Sequence, residues 1–319
     1  MPQIEAGNDA AQPLRLDHPA ARLYRHLTPS ESLTIMDMST KSPARRIDSL
    51  GDVTGGYDAI FCDVWGVVHD GLTKKRPAEA ALAAARQAGL KVVLLTNAPR
   101  PAAAVAAQLD TLDFSRDAYD AIVTSGDATV ALLDELGGPI FHVGPARDFD
   151  LFEGTGLEKV DEADAHAVVT TGLFDDDTET PADYADMLAR LAARSLPMVC
   201  ANPDIVVNRG DRLVFCAGAL GRDYAALGGT VRLAGKPHQP IYDLAARVIG
   251  GIDRSRILAI GDGLMTDIAG ANRFGIDVLL ITEGIHGAEL GGPDAASHTI
   301  AAMLAEKGLA ANYLMADLQ

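Results

Sequence analysis

The amino-acid sequence predicts an α/β protein: a doubly wound parallel sheet whose chain is interrupted by an inserted α/β domain. Three observations carry that expectation. Short apolar runs ending on polar residues alternate with helical stretches, the rhythm of parallel strands with helices on both faces. That rhythm changes near residue 127 and resumes near residue 234. Of the 319 residues 48% are apolar, enough to bury a sizeable core and far from a disordered composition. This length suits one large domain or two modest ones.

Residues 1–48 stand apart as an N-terminal extension, mixing Pro, charge and polar residues without sustained periodicity. Two readings of it stay open, a loose arm or an over-long reading frame, because Met36 and Met38 each offer an alternative start. The regular pattern begins at Tyr57. The run AIFC (59–62) reads as a buried strand that delivers Asp63 at its carboxyl end. Pro77 opens an Ala-rich helix that Gly89 closes. KVVLL (91–95) is the next strand and delivers Thr96 and Asn97; a helix over 102–109 and a strand over 121–123, delivering Thr124 and Ser125, follow. Ligands of such sheets bind outside the carboxyl ends of the strands, so these polar residues are expected to face one crevice.

The second cadence contains strand-like IFHV (140–143), AVVTT (167–171), MVC (198–200) and LVF (213–215), with a helix over 181–194. The first then resumes with a helix over 239–249, the strand ILAI (257–260) delivering Gly261 and Asp262, a helix over 266–274 closed by Gly275, and a strand over 277–281. The domains are accordingly 49–126 with 234–319 for the core, and 127–233 for the insertion.

Composition narrows the partners. With 27 basic and 44 acidic side chains the formal charge is −17, which speaks against nucleic acid or an anionic membrane as the main partner. No apolar run approaches the ~20 residues of a membrane-spanning helix, and no secretory signal opens the chain. Cys62, Cys200 and Cys216 are scattered and odd in number, neither a disulfide framework nor a zinc spacing. A reducing, cytoplasmic setting is expected. His142, His166 and His238 form no ligand pair at helical spacing.

The chemistry-bearing residues fall on one rim: Asp63, Thr96 with Asn97, Lys236 in GKP, and Asp262 through Asp267. Two carboxylates at neighbouring strand ends can share a hard cation such as Mg²⁺. Lysine and metal together would offset the repulsion between a carboxylate nucleophile and a phosphate. Taken singly, each residue has an ordinary structural reading, as a strand end, a helix cap or a solvated turn lysine.

The pieces DVWGVVHDG (63–71), LLTN (94–97), GKP (235–237) and GDGLMTD (261–267) resemble the four ordered motifs of the haloacid dehalogenase superfamily. The insertion carrying CANPD (200–204) resembles that of the NagD-type subfamily with its C2-type α/β cap. The resemblance covers about residues 57–290 and implies a Rossmann-like core under a cap domain. The activity it implies is a Mg²⁺-dependent phosphatase of a small phosphorylated metabolite. By position, it makes Asp63 the nucleophile and a metal ligand, and Asp262 a second ligand. Asp267 would support the metal's water shell or Lys236, Thr96 and Asn97 would hold substrate, and Lys236 would neutralise the phosphate. Relatives often dimerise through the inserted domain, which makes a homodimer the expected assembly by analogy.

One departure bears on mechanism. Phosphatases of this superfamily carry a second Asp two residues after the nucleophile, as general acid and base; here the position holds Trp65, the sole tryptophan. Its backbone carbonyl can still ligate metal, but its ring cannot move a proton, and general acid–base help is typically worth ~10²–10⁴ in rate, about 3–5 kcal/mol. His69 and Asp70 are the nearby substitutes if their loop folds back over the site. A second, smaller departure is Ala98-Pro99 after Asn97, which leaves only backbone contacts there. Three functional readings follow: the hydrolase, a catalytically impaired relative that binds a phosphometabolite, and carbon–halogen or carbon–phosphorus cleavage. The last is disfavoured by the paired aspartates and by the lack of a Schiff-base lysine. Asn202, Asp204, Asn208 and Arg209 in the insertion read as surface loop before they read as ligand contacts.

Overall fold

The computed structural model describes residues 44–209, 212–292 and 295–319. The side chains of 207–213 lie outside that description, as does the expected N-terminal extension apart from residues 44–48. In chain order the first elements are β1 (Arg45–Arg46), α1 (Gly51–Thr54), β2 (Ala59–Asp63), α2 (Arg76–Gln87), β3 (Lys91–Thr96), α3 (Ala102–Thr111), β4 (Ala121–Thr124) and α4 (Ser125–Leu136). There follow β5 (Ile140–Val143), β6 (Ala167–Thr170), α5 (Ala185–Ala193), β7 (Met198–Cys200), β8 (Val206–Arg209), β9 (Arg212–Phe215), α6 (Ala217–Ala226) and β10 (Val231–Leu233). The chain closes with α7 (Gln239–Val248), β11 (Ile257–Gly261), α8 (Ala269–Phe274), β12 (Asp277–Ile281), α9 (Ser297–Glu306) and β13 (Tyr313–Met315).

The larger sheet runs β1-β13-β12-β11-β2-β3-β4, and every pairing in it is parallel. Its central strands are buried on both sides, and their alternate residues serve different faces. Ala59, Phe61, Val93 and Leu95 point into one apolar core, Ile60, Cys62, Val92 and Leu94 into the other. This is the physical meaning of a doubly wound sheet. Register then places the chemistry: Ile260 pairs with Cys62 and Leu95 with Asp63. Asp262 therefore emerges one residue beyond the level of Asp63 on the next strand.

The second sheet, β10-β7-β6-β5, is also parallel. One of its faces packs Val168 and Met198 against Leu188 and Leu191 of α5 and Leu220 and Tyr224 of α6. The other shares a core with the larger sheet through Ala167, Val169 and Val199.

Three sequence expectations change here. LVF is a strand as expected, but β9 pairs antiparallel with β8 in a separate ribbon rather than in the second parallel sheet, because a two-residue connection can only reverse the chain. The helix expected over 266–274 begins as a π-helical turn, Leu264–Ile268, before α8, with Gly263 O accepting from both Asp267 N and Ile268 N. The helix expected over 181–194 opens with a 3₁₀ turn, Pro181–Tyr184. Strands β1, β10 and β13 went unread because two or three residues carry no period. Helix α4 is not among the sequence expectations, although Thr124 and Asp127 form a capping box at its start. Among the described residues no helix is long and apolar enough to cross a membrane.

Leu82 is fully buried on the inner face of α2. Leu82→Ala is expected to lower unfolding stability by about 2–5 kcal/mol, read from the midpoint of a urea titration at unchanged slope.

Candidate active site

Asp63 ends β2, Asp262 follows β11, Asp267 lies in the π-helical turn, and Lys236 stands in the loop between β10 and α7. All four are buried, where charged side chains persist only when paired. Lys236 Nζ donates to Asp63 Oδ1 at 2.5 Å and to Asp267 Oδ1 at 2.7 Å. The other oxygen of Asp267 accepts from Gly263 N at 3.0 Å. Asp262 Oδ2 accepts from the Ile285 amide at 2.8 Å. Carboxylate oxygens of Asp63, Asp262 and Asp267 all lie within 4.8 Å of one another.

Such crowding needs space that only glycine leaves. A Cβ on Gly66 would lie 2.3 Å from Asp262 Oδ2, and one on Gly284 would lie 2.1 Å from Asp262 Cβ. Gly66 also has φ +86°, a left-handed backbone that other residues adopt only with strain.

One ammonium does not balance three carboxylates. Burial, and then the charge of Asp267, push the pKa of Asp63 well above the ordinary carboxylate range, with Lys236 opposing. The same two causes raise Asp262. Burial works to lower the pKa of Lys236, but Asp267 and Asp63 outweigh it, and the ammonium is held more firmly than usual. The site is thus an excess of oxygen ligands around a fixed cation, with anionic repulsion that a hard divalent cation would relieve.

Asn97 does not extend into this cluster. Its Oδ1 accepts from Lys236 N at 2.7 Å and its Nδ2 donates to Lys236 O at 3.0 Å. The amide expected to hold substrate therefore clamps the main chain of the lysine. Gly235 makes the clamp possible, since a Cβ there would meet Asn97 Oδ1 at 2.5 Å and Ser125 Oγ at 2.6 Å. Thr96, at the end of β3, is buried and its Oγ1 accepts from Ala98 N at 3.2 Å. Ala98 O in turn accepts from Gly126 N at 3.1 Å, seating the loop after β3 on the start of α4. Thr124 is occupied in capping that helix, whereas the buried Ser125 Oγ has no hydrogen-bond partner among the described residues.

Trp65 stands outward, 55% exposed, with its ring edge-on to His69 at 5.2 Å. His69 and Asp70 are each tied into their own loop. The His69 ring is buried, its Nδ1 accepts from Gly71 N at 2.9 Å, and burial lowers its pKa. Asp70 accepts from Leu72 N and Thr73 N. Those Thr73 and Leu72 amides and the Thr73 hydroxyl hold its pKa down to about 2.

Asp204, expected as surface loop, is only partly exposed; burial raises its pKa, with Lys236 and Asn97 opposing. The neighbouring Pro203 ring lies 3.0 Å from where a Gly235 Cβ would stand. No local pattern in CANPD announces these contacts, which join residues far apart in the chain. Asn202 Oδ1 accepts from Asp204 N, while the side chains of Asn208 and Arg209 lie outside the described residues.

Comparison with known proteins agrees with this geometry. A sequence model of haloacid dehalogenase-like hydrolases matches residues 60–158, and a second, of HAD-hydrolase-like proteins, matches residues 233–307. A hydrolase of the haloacid dehalogenase-like family from Brucella suis 1330 is 47% identical in sequence. Its crystal structure superposes with a TM-score of 0.74 over 86% of this chain and 100% of that one. A 4-nitrophenylphosphatase from Thermotoga maritima, 22% identical, shares the fold with a TM-score of 0.67 over 82% of this chain and 95% of its own. D-glycerol 3-phosphate phosphatase of Mycobacterium tuberculosis (strain ATCC 25618 / H37Rv) is 29% identical over 240 residues, 73% of this chain. The match spans 65% of that relative's length.

The raised pKa of Asp262 fixes the sign of a stability effect. Its penalty is absent below the unfolded value of 3.8 and grows as pH rises toward the folded value, because the native state then holds a proton the unfolded state has lost. In metal-free protein, Asp262→Asn is therefore expected to melt higher than the parent above about pH 4, with the gap closing at lower pH. A parent that melts higher throughout this range would show that the repulsion is not present.

Proposed function

The chain belongs to the haloacid dehalogenase-like hydrolase family, and on that premise we propose that it is a Mg²⁺-dependent phosphatase of a small phosphorylated metabolite. The observation that carries the reading is the buried Lys236 bridging Asp63 and Asp267 beside Asp262. A structural ion pair requires one carboxylate; three, packed by glycines and short of positive charge, form a donor set for a hard cation. Asp63 and Asp262 would hold it with the backbone carbonyl of Trp65. Asp267, with its oxygens on Lys236 and Gly263, positions the lysine. When bound, Mg²⁺ supplies charge neutralisation to the phosphoryl oxygens and to the carboxylates around it.

Asp63 is the nucleophile in this reading. Its Oδ attacks phosphorus in line with the leaving oxygen and forms an aspartyl-phosphate, which water then hydrolyses. Lys236 neutralises charge on the transferring group, and Asn97 holds the lysine's main chain so that its ammonium keeps its place. Thr96, at the adjoining strand end, offers a phosphate contact through its hydroxyl and the loop that follows. The 127–233 segment is the cap, and its loop at Pro203–Asp204 borders the clamp. Closure of such a domain excludes bulk water and selects the substrate. Phosphatase activity in the Mycobacterium and Thermotoga relatives, by their names, supports the reading.

Trp65 favours a second reading, a relative that binds a phosphometabolite without turning it over. The two separate in one experiment: phosphate release from a panel of metabolite phosphates and acetyl phosphate, with Mg²⁺ or with EDTA, beside Asp63→Asn. The hydrolase predicts release that EDTA abolishes and that Asp63→Asn lowers by at least ~10³. No release, together with a rise in melting temperature on adding phosphorylated ligands, would establish the binding protein instead.

A further inference from the structure

Lys236 leaves the second sheet almost directly. Only Ala234 and Gly235 separate it from β10, whose Leu233 pairs with Cys200 of β7, and Ala234 N donates to Cys200 O at 3.2 Å. Two segments therefore leave that sheet side by side, one carrying the lysine and the other Pro203 and Asp204. The start of α6 seats the second segment: Gly218 N donates to Asp204 O at 3.1 Å and Cys216 N to Ile205 O at 2.9 Å. Asn202 Oδ1 accepts from Asp204 N at 3.0 Å, and a Cβ on Gly218 would lie 2.2 Å from Pro203 O.

Three elements then meet at the residue before the lysine. A Cβ on Gly235 would stand 2.5 Å from Asn97 Oδ1, 2.6 Å from Ser125 Oγ and 3.0 Å from Pro203 Cδ. These atoms belong to the loop after β3, the start of α4 and the loop after β7. Asn97 supplies bonds to both the amide and the carbonyl of Lys236, which uses one hydrogen of its Nδ2 and leaves the other for a second acceptor. Asp204 is the carboxylate beside it: burial pushes its pKa up, and Lys236 and Asn97 draw it back. An uncharged amide exerts such a pull only at close range, by donating. A flipped Asn97 would set its oxygen against the Lys236 carbonyl and against Asp204 at once, so the carboxylate fixes which way the clamp faces.

We propose that Asp204 is a positioning residue: it locks the Asn97 amide onto the main chain of Lys236, so that the seating of the second sheet and the seating of the lysine are one event. The lock stands on the geometry alone; its consequence for catalysis rests on the phosphatase reading. In that reading Lys236 neutralises charge on the transferring group, and a lysine displaced by about an ångström loses most of that benefit. Asp204 acts through Asn97 and touches no reacting atom.

The test uses the whole chain and two readouts. Hydrogen exchange of the Lys236 amide, followed by NMR, reports the clamp without any substrate. Asp204→Ala is expected to speed that exchange ~10-fold or more while the Leu258 amide of β11 keeps its parent rate. Asp204→Asn still accepts through its side-chain oxygen and is expected to stay within about 3-fold of the parent. With Mg²⁺ and acetyl phosphate, Asp204→Ala is expected to lower kcat about 10–100-fold and to move KM less than about 3-fold. The same substitution made in Asn97→Ala should cost less than about 2-fold more, since its route to the lysine is already cut. Parent-rate exchange of Lys236 in Asp204→Ala overturns the lock. Losses that multiply in the double variant overturn it too, by making Asp204 an independent contact. So does an Asp204→Asn as slow as Asp204→Ala with the basic limb of its pH–rate profile gone, the mark of a proton donor. Faster Lys236 exchange in Asp204→Ala, in a chain that releases no phosphate, upholds the lock and removes the phosphatase reading instead.

Discussion

Three aspartates and a lysine are buried together at the carboxyl edge of the larger sheet, and the mutual repulsion of those carboxylates is the constraint the local structure is built to hold. Lys236 satisfies Asp63 and Asp267 at once, and Asp262 is tied to the Ile285 amide. Breaking a buried pair by removing one partner generally costs about 3–5 kcal/mol, because the remaining charge stays stranded. The cluster therefore carries more negative charge than its one ammonium offsets.

That constraint propagates outward through small residues. Gly66 and Gly284 leave room for Asp262, and Gly261 leaves room for Asp267, whose Cβ would otherwise lie 2.3 Å from a Cβ on Gly261. Gly235 lets Asn97 reach the main chain of Lys236. The π-helical turn directs both Asp267 N and Ile268 N to a single carbonyl, Gly263 O, and such turns recur at functional sites. Strand ends and close glycine loops together leave the carboxylates little room to move.

Against this fixed floor, the wall of the site is unusual. The loop that begins at Asp63 presents an exposed indole, and its two polar neighbours are engaged elsewhere: His69 with Gly71, and Asp70 with a turn. The loop at Pro203–Asp204, reaching the same clamp from the second sheet, ties the position of that sheet to the lysine through Asn97.

Much of this was legible in the sequence because strand placement is a local property. Apolar runs of four or five residues with a polar residue at the carboxyl end located Asp63, Thr96 and Asp262, and the parallel rhythm put them on one edge. Partners were a different matter. The Lys236–Asp63 bond closes 173 residues of chain and the Asn97 clamp closes 139, so their pairing depends on how loops pack after the sheet has formed. Only the tertiary structure moved Asn97 from substrate to lysine, sent β9 into a ribbon with β8, turned Trp65 outward and drew Asp204 inward. Periodicity reports which face of a strand or helix is apolar. It is silent on loops, whose geometry is decided by the few long-range hydrogen bonds and close glycine contacts that only the folded chain can make.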